Sequence, residues 1–207
     1  RIVLSDRKRA AEREEARTAE ALRADPSARV NRHHANFLAT WWRLSYPREE
    51  MLRALAALPR YIVCGQVTKR PIFEFISPAI RPNAALMVFP FADDFSFGIL
   101  QSDAHWQWFT NRRSTLTERF RYTSNTVFDT FAWPQDPTQT QVAAVAEAAV
   151  SLRKLRRALM KQHKLSLREL YRSLESPGKH PLKDANAELD GAVRAAYGMS
   201  KTKEQLA

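Results

Sequence analysis

The spacing of apolar residues changes twice along this chain, and those changes constrain the fold more than any other feature. Met51, Leu52, Leu55 and Leu58 recur at helical intervals. Tyr61, Val63 and Val67 then alternate with polar residues. Ile72, Phe73, Phe75 and Ile76 follow Pro71, and Leu86, Val88, Phe89 and Phe91 form a third run. Pro71, Pro78, Pro82 and Pro90 bound these β-branched and aromatic runs, so they predict about three short strands. After Trp133 the helical period returns and persists.

The helical half carries its own punctuation. Asp136, Pro137 and Gln139 predict an N-cap, a first-turn proline and a capping-box partner. Val142, Val145, Ala149, Leu152, Leu155 and Leu159 form one apolar stripe. Ser166 with Glu169 predicts a second capping box, ahead of Leu167, Leu170, Tyr171 and Leu174, and Pro177-Gly178 stops that helix. A third helix is marked by Leu182, Ala185, Leu189, Val193 and Tyr197, with Gly198 as its C-terminal cap. Between the two halves, Gly98–Arg112 predicts one short helix bearing Leu100, His105, Trp106 and Trp108. At the start, Ser5–Ala24 is rich in Ala, Glu and Arg, with Glu14–Arg17 and Glu20–Arg23 as helix neighbours, and Pro26 closes it.

The expected fold is therefore α+β: a small mixed β-sheet with flanking helices, followed by a C-terminal helical bundle. The expected divisions are 1–36, a charged helical linker or spacer end; 37–135, the sheet-bearing domain; and 136–207, the helical domain. The missing initiator Met predicts a piece of a longer polypeptide.

Charge narrows the partners. In 207 residues, Lys and Arg exceed Asp and Glu by 33 to 22, a formal net charge of +11. Such an excess favours nucleic acid or another anionic surface over an acidic small substrate. No apolar run approaches the ~20 residues of a membrane span, and no signal peptide is visible. Cys64 is the one cysteine, which excludes a disulfide framework and a Cys-based zinc site, and fits the cytoplasm.

Phe95–Pro134 concentrates the basic and aromatic residues. Trp106, Trp108, Phe120, Tyr122 and Trp133 interleave with Arg112, Arg113, Arg119 and Arg121. Arginine can clamp a phosphate or grip a guanine edge with two hydrogen bonds. A solvated basic loop is the other reading, and the global charge favours nucleic acid. Arg153, Arg157, Lys161 and Lys164 fall on a second stripe, expected to be a solvated face opposite the apolar one.

Other constellations point away from catalysis. Asp93 and Asp94 precede His105, but the sequence has no Glu-x-Lys tripeptide to complete a nuclease carboxylate cluster, and Asp94 is expected to be a turn or helix N-cap residue. Adjacent His33 and His34 face different ways and suit the surface. Ser102 and His105 lack a Gly-flanked nucleophile. Gly178-Lys179 lacks the glycine spacing of a P-loop. There is no Pro-Pro dipeptide, so the tetrapeptide of amino-methyltransferases is missing. Neither a metal nor a cofactor site is predicted in this fragment.

Several ordered motifs carry a resemblance. LPRYIVCGQVTKRPIFEF (Leu58–Phe75), DDFSFGILQSDAHWQW (Asp93–Trp108) and RYTSNTVFDTFAWP (Arg121–Pro134), with LRELYRSLESPG (Leu167–Gly178) and AAYG ending at Gly198, resemble the end of the MmeI-like restriction-modification enzymes. The likeness runs from about Trp41 to Gly198. It departs at Ala132, where the family more often has Pro. That family fuses a nuclease, a helical spacer, an adenine-specific methyltransferase using S-adenosylmethionine, and a target-recognition domain. The resemblance implies that this chain is the last of these parts with its helical tail, that S-adenosylmethionine belongs to the parent enzyme, and that the partners are double-stranded DNA and the methyltransferase domain of the same polypeptide.

On that reading, Arg112, Thr117, Glu118, Arg119 and Arg121 are the expected base readers: glutamate accepts from the cytosine amine and arginine donates to guanine. Lys69, Arg70, Arg113 and Lys154 are the expected phosphate contacts. Trp106, Trp108, Phe128, Phe131 and Trp133 are expected in the core. A nonspecific nucleic-acid-binding module and a scaffold domain docked on the methyltransferase are the rival readings. An acid at Glu118 inside a basic patch costs phosphate affinity, and so argues for base reading.

Overall fold

The computed structural model describes residues 2–43, 48–112, 114–116 and 119–199. The chain divides into two compact units, Arg1–Met51 and Leu52–Ala207.

In the first unit, α1 (Ile2–Ala24) packs on α2 (His33–Ala39). α2 lacks a side-chain cap of its own. Glu14 of α1 supplies one, accepting from the His34 N–H at 2.8 Å and the Ala35 N–H at 3.0 Å. Burial pushes this carboxyl up, but the two backbone donors, together with the His34 and His33 side chains, outweigh it and hold it below its ordinary value. About two helical turns earlier, Arg7 donates to the carbonyl of Phe37 in the last turn of α2 at 2.8 Å, and to that of Arg43, just beyond the helix, at 2.7 Å. An acid at the helix start and a base at its end both complement the dipole, so α1 and α2 run antiparallel.

α3 (Glu49–Ala56) leads into the second unit. There β1 (Tyr61–Gly65), β2 (Glu74–Ile76) and β3 (Leu86–Phe89) form a sheet in the order β2-β1-β3. Ile62 pairs with Phe75 on one side and Phe89 on the other. Every pairing is antiparallel, a correction to the mixed sheet expected from sequence. The links between the strands hold no crossover helix, which parallel neighbours would need.

Two helices, α4 (Asp94–Gln101) and α5 (Asp103–Arg112), replace the single one expected over Gly98–Arg112. They part at Ser102, whose backbone is extended and whose hydroxyl donates to the Ile99 carbonyl at 2.7 Å. A serine that bonds the preceding turn competes with continuation of the helix. The cap of α4 is Asp93, accepting from the Ser96 N–H at 2.7 Å; Asp94, expected in that role, is ion-paired instead.

α6 (Gln139–His163), α7 (Leu167–Ser173) and α8 (Pro181–Ala196) follow. Thr138 and Gln141 cap α6, where the sequence suggested Asp136 and Gln139. Asp136 sits at positive φ in the turn before, and the Thr-x-x-Gln spacing completes a capping box. The Ser166–Glu169 box forms as expected. At the end of α8, Gly198 has φ +72°, and the N–H groups of Gly198 and Met199 reach back to the carbonyls of Ala195 and Arg194. That is the left-handed termination for which glycine is suited.

α4 lies against both α6 and α8, so the sheet and the C-terminal helices share one core, with Phe73, Phe97, Leu152 and Leu189 all buried. Among the described residues no helix is long and apolar enough to cross a membrane.

Candidate nucleic-acid interface

A second sheet begins where α5 ends. β4 (Ser114–Leu116) and β5 (Arg119–Arg121) form an antiparallel hairpin. β5 is sewn on its other side to the stretch after β1: the Thr68 N–H donates to the Phe120 carbonyl at 3.1 Å, the Tyr122 N–H to the Gln66 carbonyl at 2.8 Å, and Val67 bridges Arg121. Beyond β5 the chain dives into the core. Tyr122 is fully buried, its hydroxyl 2.9 Å from His105 Nε2. Burial holds His105 down, at about 4, so the imidazole is neutral near pH 7. It is a packed core histidine, set among Phe73, Tyr122 and Phe131.

Arg112, in the last turn of α5, is exposed, with its guanidinium 4.7 Å from the Trp108 ring centre. Trp108 is itself fixed: its Nε1–H donates to the Val127 carbonyl at 3.0 Å. A cation resting on an anchored indole is pre-oriented while its hydrogen-bonding edge stays open. Arg121 is half-buried in β5 beside Gln66. Arg119 lies on the same strand, while Arg113, Thr117 and Glu118 lie outside the described residues. The hairpin thus brings Arg112, Arg119 and Arg121 onto neighbouring segments.

The expected phosphate contacts are less uniform. Lys69 is exposed, directly after the stretch bonded to β5. Arg70 is exposed too, but its guanidinium lies 5.5 Å from the Trp106 ring and 5.9 Å from the Tyr171 ring. Lys154 is exposed on α6, remote in sequence from the hairpin.

The stripe begun by Arg153 needs correction. Arg153 is buried, ion-paired with Asp94 and 4.7 Å from the Phe75 ring. Asp94 also accepts from Arg60 at 2.9 Å. Arg157 reaches Glu74 at 3.6 Å while staying exposed. Asp94 thus draws Arg153 inward, while Arg157, Lys161 and Lys164 remain exposed.

Arg156, not singled out from the sequence, is wholly buried. It donates to the Phe73 carbonyl at 2.7 Å, the Tyr171 hydroxyl at 2.6 Å, Gln101 Oε1 at 3.1 Å and Glu74 at 3.3 Å. The signal was available: Arg156 stands four residues after Leu152, within the apolar stripe. Trp106, Trp108, Phe128 and Trp133 pack against the core and Phe131 is buried in it, as expected. Cys64 is buried, and burial pushes its thiol up to about 12, which leaves it inert. No cluster of three or more His, Cys, Asp or Glu among the described residues could hold a metal ion.

Residues 48–135 match the family described as the MmeI target recognition domain. A solved structure of the type IIL restriction-modification enzyme MmeI in complex with DNA superposes with a TM-score of 0.69 at 24% identity, covering 91% of this chain. The present chain spans 24% of the length of that protein. No curated protein sequence matches significantly.

Proposed function

We propose that this chain, whose residues 48–135 are a target-recognition domain of the MmeI type, is the part of a restriction-modification enzyme that reads DNA sequence. The carrying observation is that match, over residues that include β4, β5, the Gln66–Thr68 stretch bonded to β5, and Arg112 on Trp108. The net charge of +11 supplies attraction to the duplex. Arg112, held on Trp108, and Arg121, held in β5, donate to base edges in the major groove. Thr117, Glu118 and Arg119 complete the reading loop, with Glu118 accepting from a cytosine amine. Lys69, Arg113 and Lys154 set register on the phosphates, and Arg70 joins them only if it leaves its aromatic neighbours.

The parent enzyme, on this proposal, is an adenine-specific methyltransferase in the same polypeptide, working in the cytoplasm. S-adenosylmethionine supplies its methyl group. One cleft of the first unit is lined by Arg13, Arg17 and Arg29 with Glu14 as its one acid, a balance that disfavours a sulfonium cation there. This chain's part is to hold the duplex in register while the adenine leaves the stack.

Substitution in the full-length enzyme tests the reading. Glu118→Lys exchanges an acceptor for a donor and should move the preference at one base pair from cytosine toward guanine. Sequencing the modified sites of genomic DNA checks this. An unchanged motif in active Glu118→Lys and Arg119→Ala enzymes would show that the loop does not read bases.

A further inference from the structure

Gln66 stands where the two sheets meet. Its backbone N–H donates to the Ala85 carbonyl beside β3, and its carbonyl accepts from the Tyr122 N–H just past β5, both at 2.8 Å. These bonds fix the residue whatever its side chain. The side-chain amide then has two neighbours of opposite kind. With the amide nitrogen toward the Ala84 carbonyl and the oxygen toward Arg121 Nη2, both contacts are 3.2 Å; this orientation satisfies both groups.

The contact matters because of what it leaves on Arg121. The Nε of Arg121 is buried and has no hydrogen-bond partner among the described residues. One Nη2 hydrogen is spent on Gln66. Among the described residues the Nη1 pair and the second Nη2 hydrogen have no other partner, and they lie on the end of the guanidinium that meets O6 and N7 of guanine. A free arginine side chain would have to give up rotamer freedom on binding. One anchored at Nη2 has already lost part of it.

We propose that Gln66 is a positioning residue for base readout: it holds the Arg121 guanidinium in the plane that a guanine edge requires. The proposal rests on Arg121 reading a base, and the experiment separates the two claims. Each variant of the full chain is incubated with a pool of random-sequence duplexes, and the retained duplexes are sequenced. Arg121→Ala should erase preference at one position. Gln66→Ala should weaken preference at that same position by about tenfold, with other positions, the salt slope and Tm unchanged. Gln66→Glu keeps an acceptor for Arg121 and should retain the preference. Gln66→Met, of matching length, should behave as Gln66→Ala does and serves if the alanine variant fails to fold.

If Arg121→Ala loses the preference while Gln66→Ala and Gln66→Met keep it, Gln66 positions nothing and the base-reading assignment stands. If Arg121→Ala leaves every preference intact, Arg121 is not a reader and both claims fall. A uniform loss across all positions in folded Gln66 variants would also overturn the proposal, since it marks a general structural effect.

Discussion

Arg156 is the most deeply committed polar side chain of the second unit. It is wholly buried, and its partners come from β2, α4 and α7 as well as the strand lead-in at Phe73. Removing it would strand the Tyr171 hydroxyl and the Phe73 carbonyl away from water and leave Gln101 Oε1 with only the Phe73 N–H. Arg156→Leu should therefore cost about 3–5 kcal/mol, read as a lowered urea midpoint. His105 makes a different prediction. Burial depresses it to about 4 from an ordinary 6.5, so the unfolded chain binds its proton first as pH falls. Its contribution is whole above about pH 6.5 and drains away toward pH 4. At about 1.4 kcal/mol per pKa unit, the loss is about 3 kcal/mol. Urea midpoints for the native chain should fall across that window, and His105→Gln should flatten the fall. From the sequence His105 stood out only as a helix residue near Asp93, Asp94 and Ser102, with neither metal binding nor hydrolysis expected of it, and Arg156 was not picked out at all. Arg156 could have been, since a charge within an apolar stripe must find partners. Nothing near His105 in sequence announces Tyr122, which meets it only through tertiary packing.

Periodicity revealed the elements themselves better than their joints. The β1, β2 and β3 runs, the α6 stripe and the Gly198 stop were all legible, because each rests on local chemistry: alternation, 3.6-residue recurrence, or a left-handed cap. The break at Ser102 and the shift of the α6 cap from Asp136 to Thr138 depend on which of two neighbouring side chains wins the backbone, and spacing alone does not decide that. The Arg153 stripe misled for a related reason. A helical wheel shows which residues share a face, but not that Asp94 and Glu74 wait on the other side. One element does carry a sharp steric test. A Cβ on Gly98 of α4 would lie 2.6 Å from Val145 Cγ1 of α6 and 3.2 Å from Leu189 Cδ1 of α8. In an open helix, Gly→Ala gains roughly 1 kcal/mol. Here the clash with packed neighbours should reverse the sign, so that Gly98→Ala destabilises by about 1–3 kcal/mol. Calorimetry would show a lower Tm; a higher one would mean that α4 can back away from α6 and α8 at no cost.

Across the whole molecule, charge and shape make separate claims on DNA. The net +11 predicts binding to any duplex, with each phosphate contact adding roughly −0.9 to the log–log salt slope. Lys154→Ala should lower that slope by about one and weaken all sequences alike. Charge alone, however, would equally suit a nonspecific module. The distinction lies at the end of α5 and in the hairpin after it, where Arg112 is held by Trp108 and Arg121 by the strand ladder rather than left to sweep the surface. The measurement that tests this most directly compares two duplexes of identical composition at several salt concentrations: one enriched by the chain from a random pool, the other its shuffled counterpart. Sequence reading predicts parallel salt slopes with the enriched duplex bound about a hundredfold more tightly or better. Equal affinity for the two at every salt concentration would contradict it.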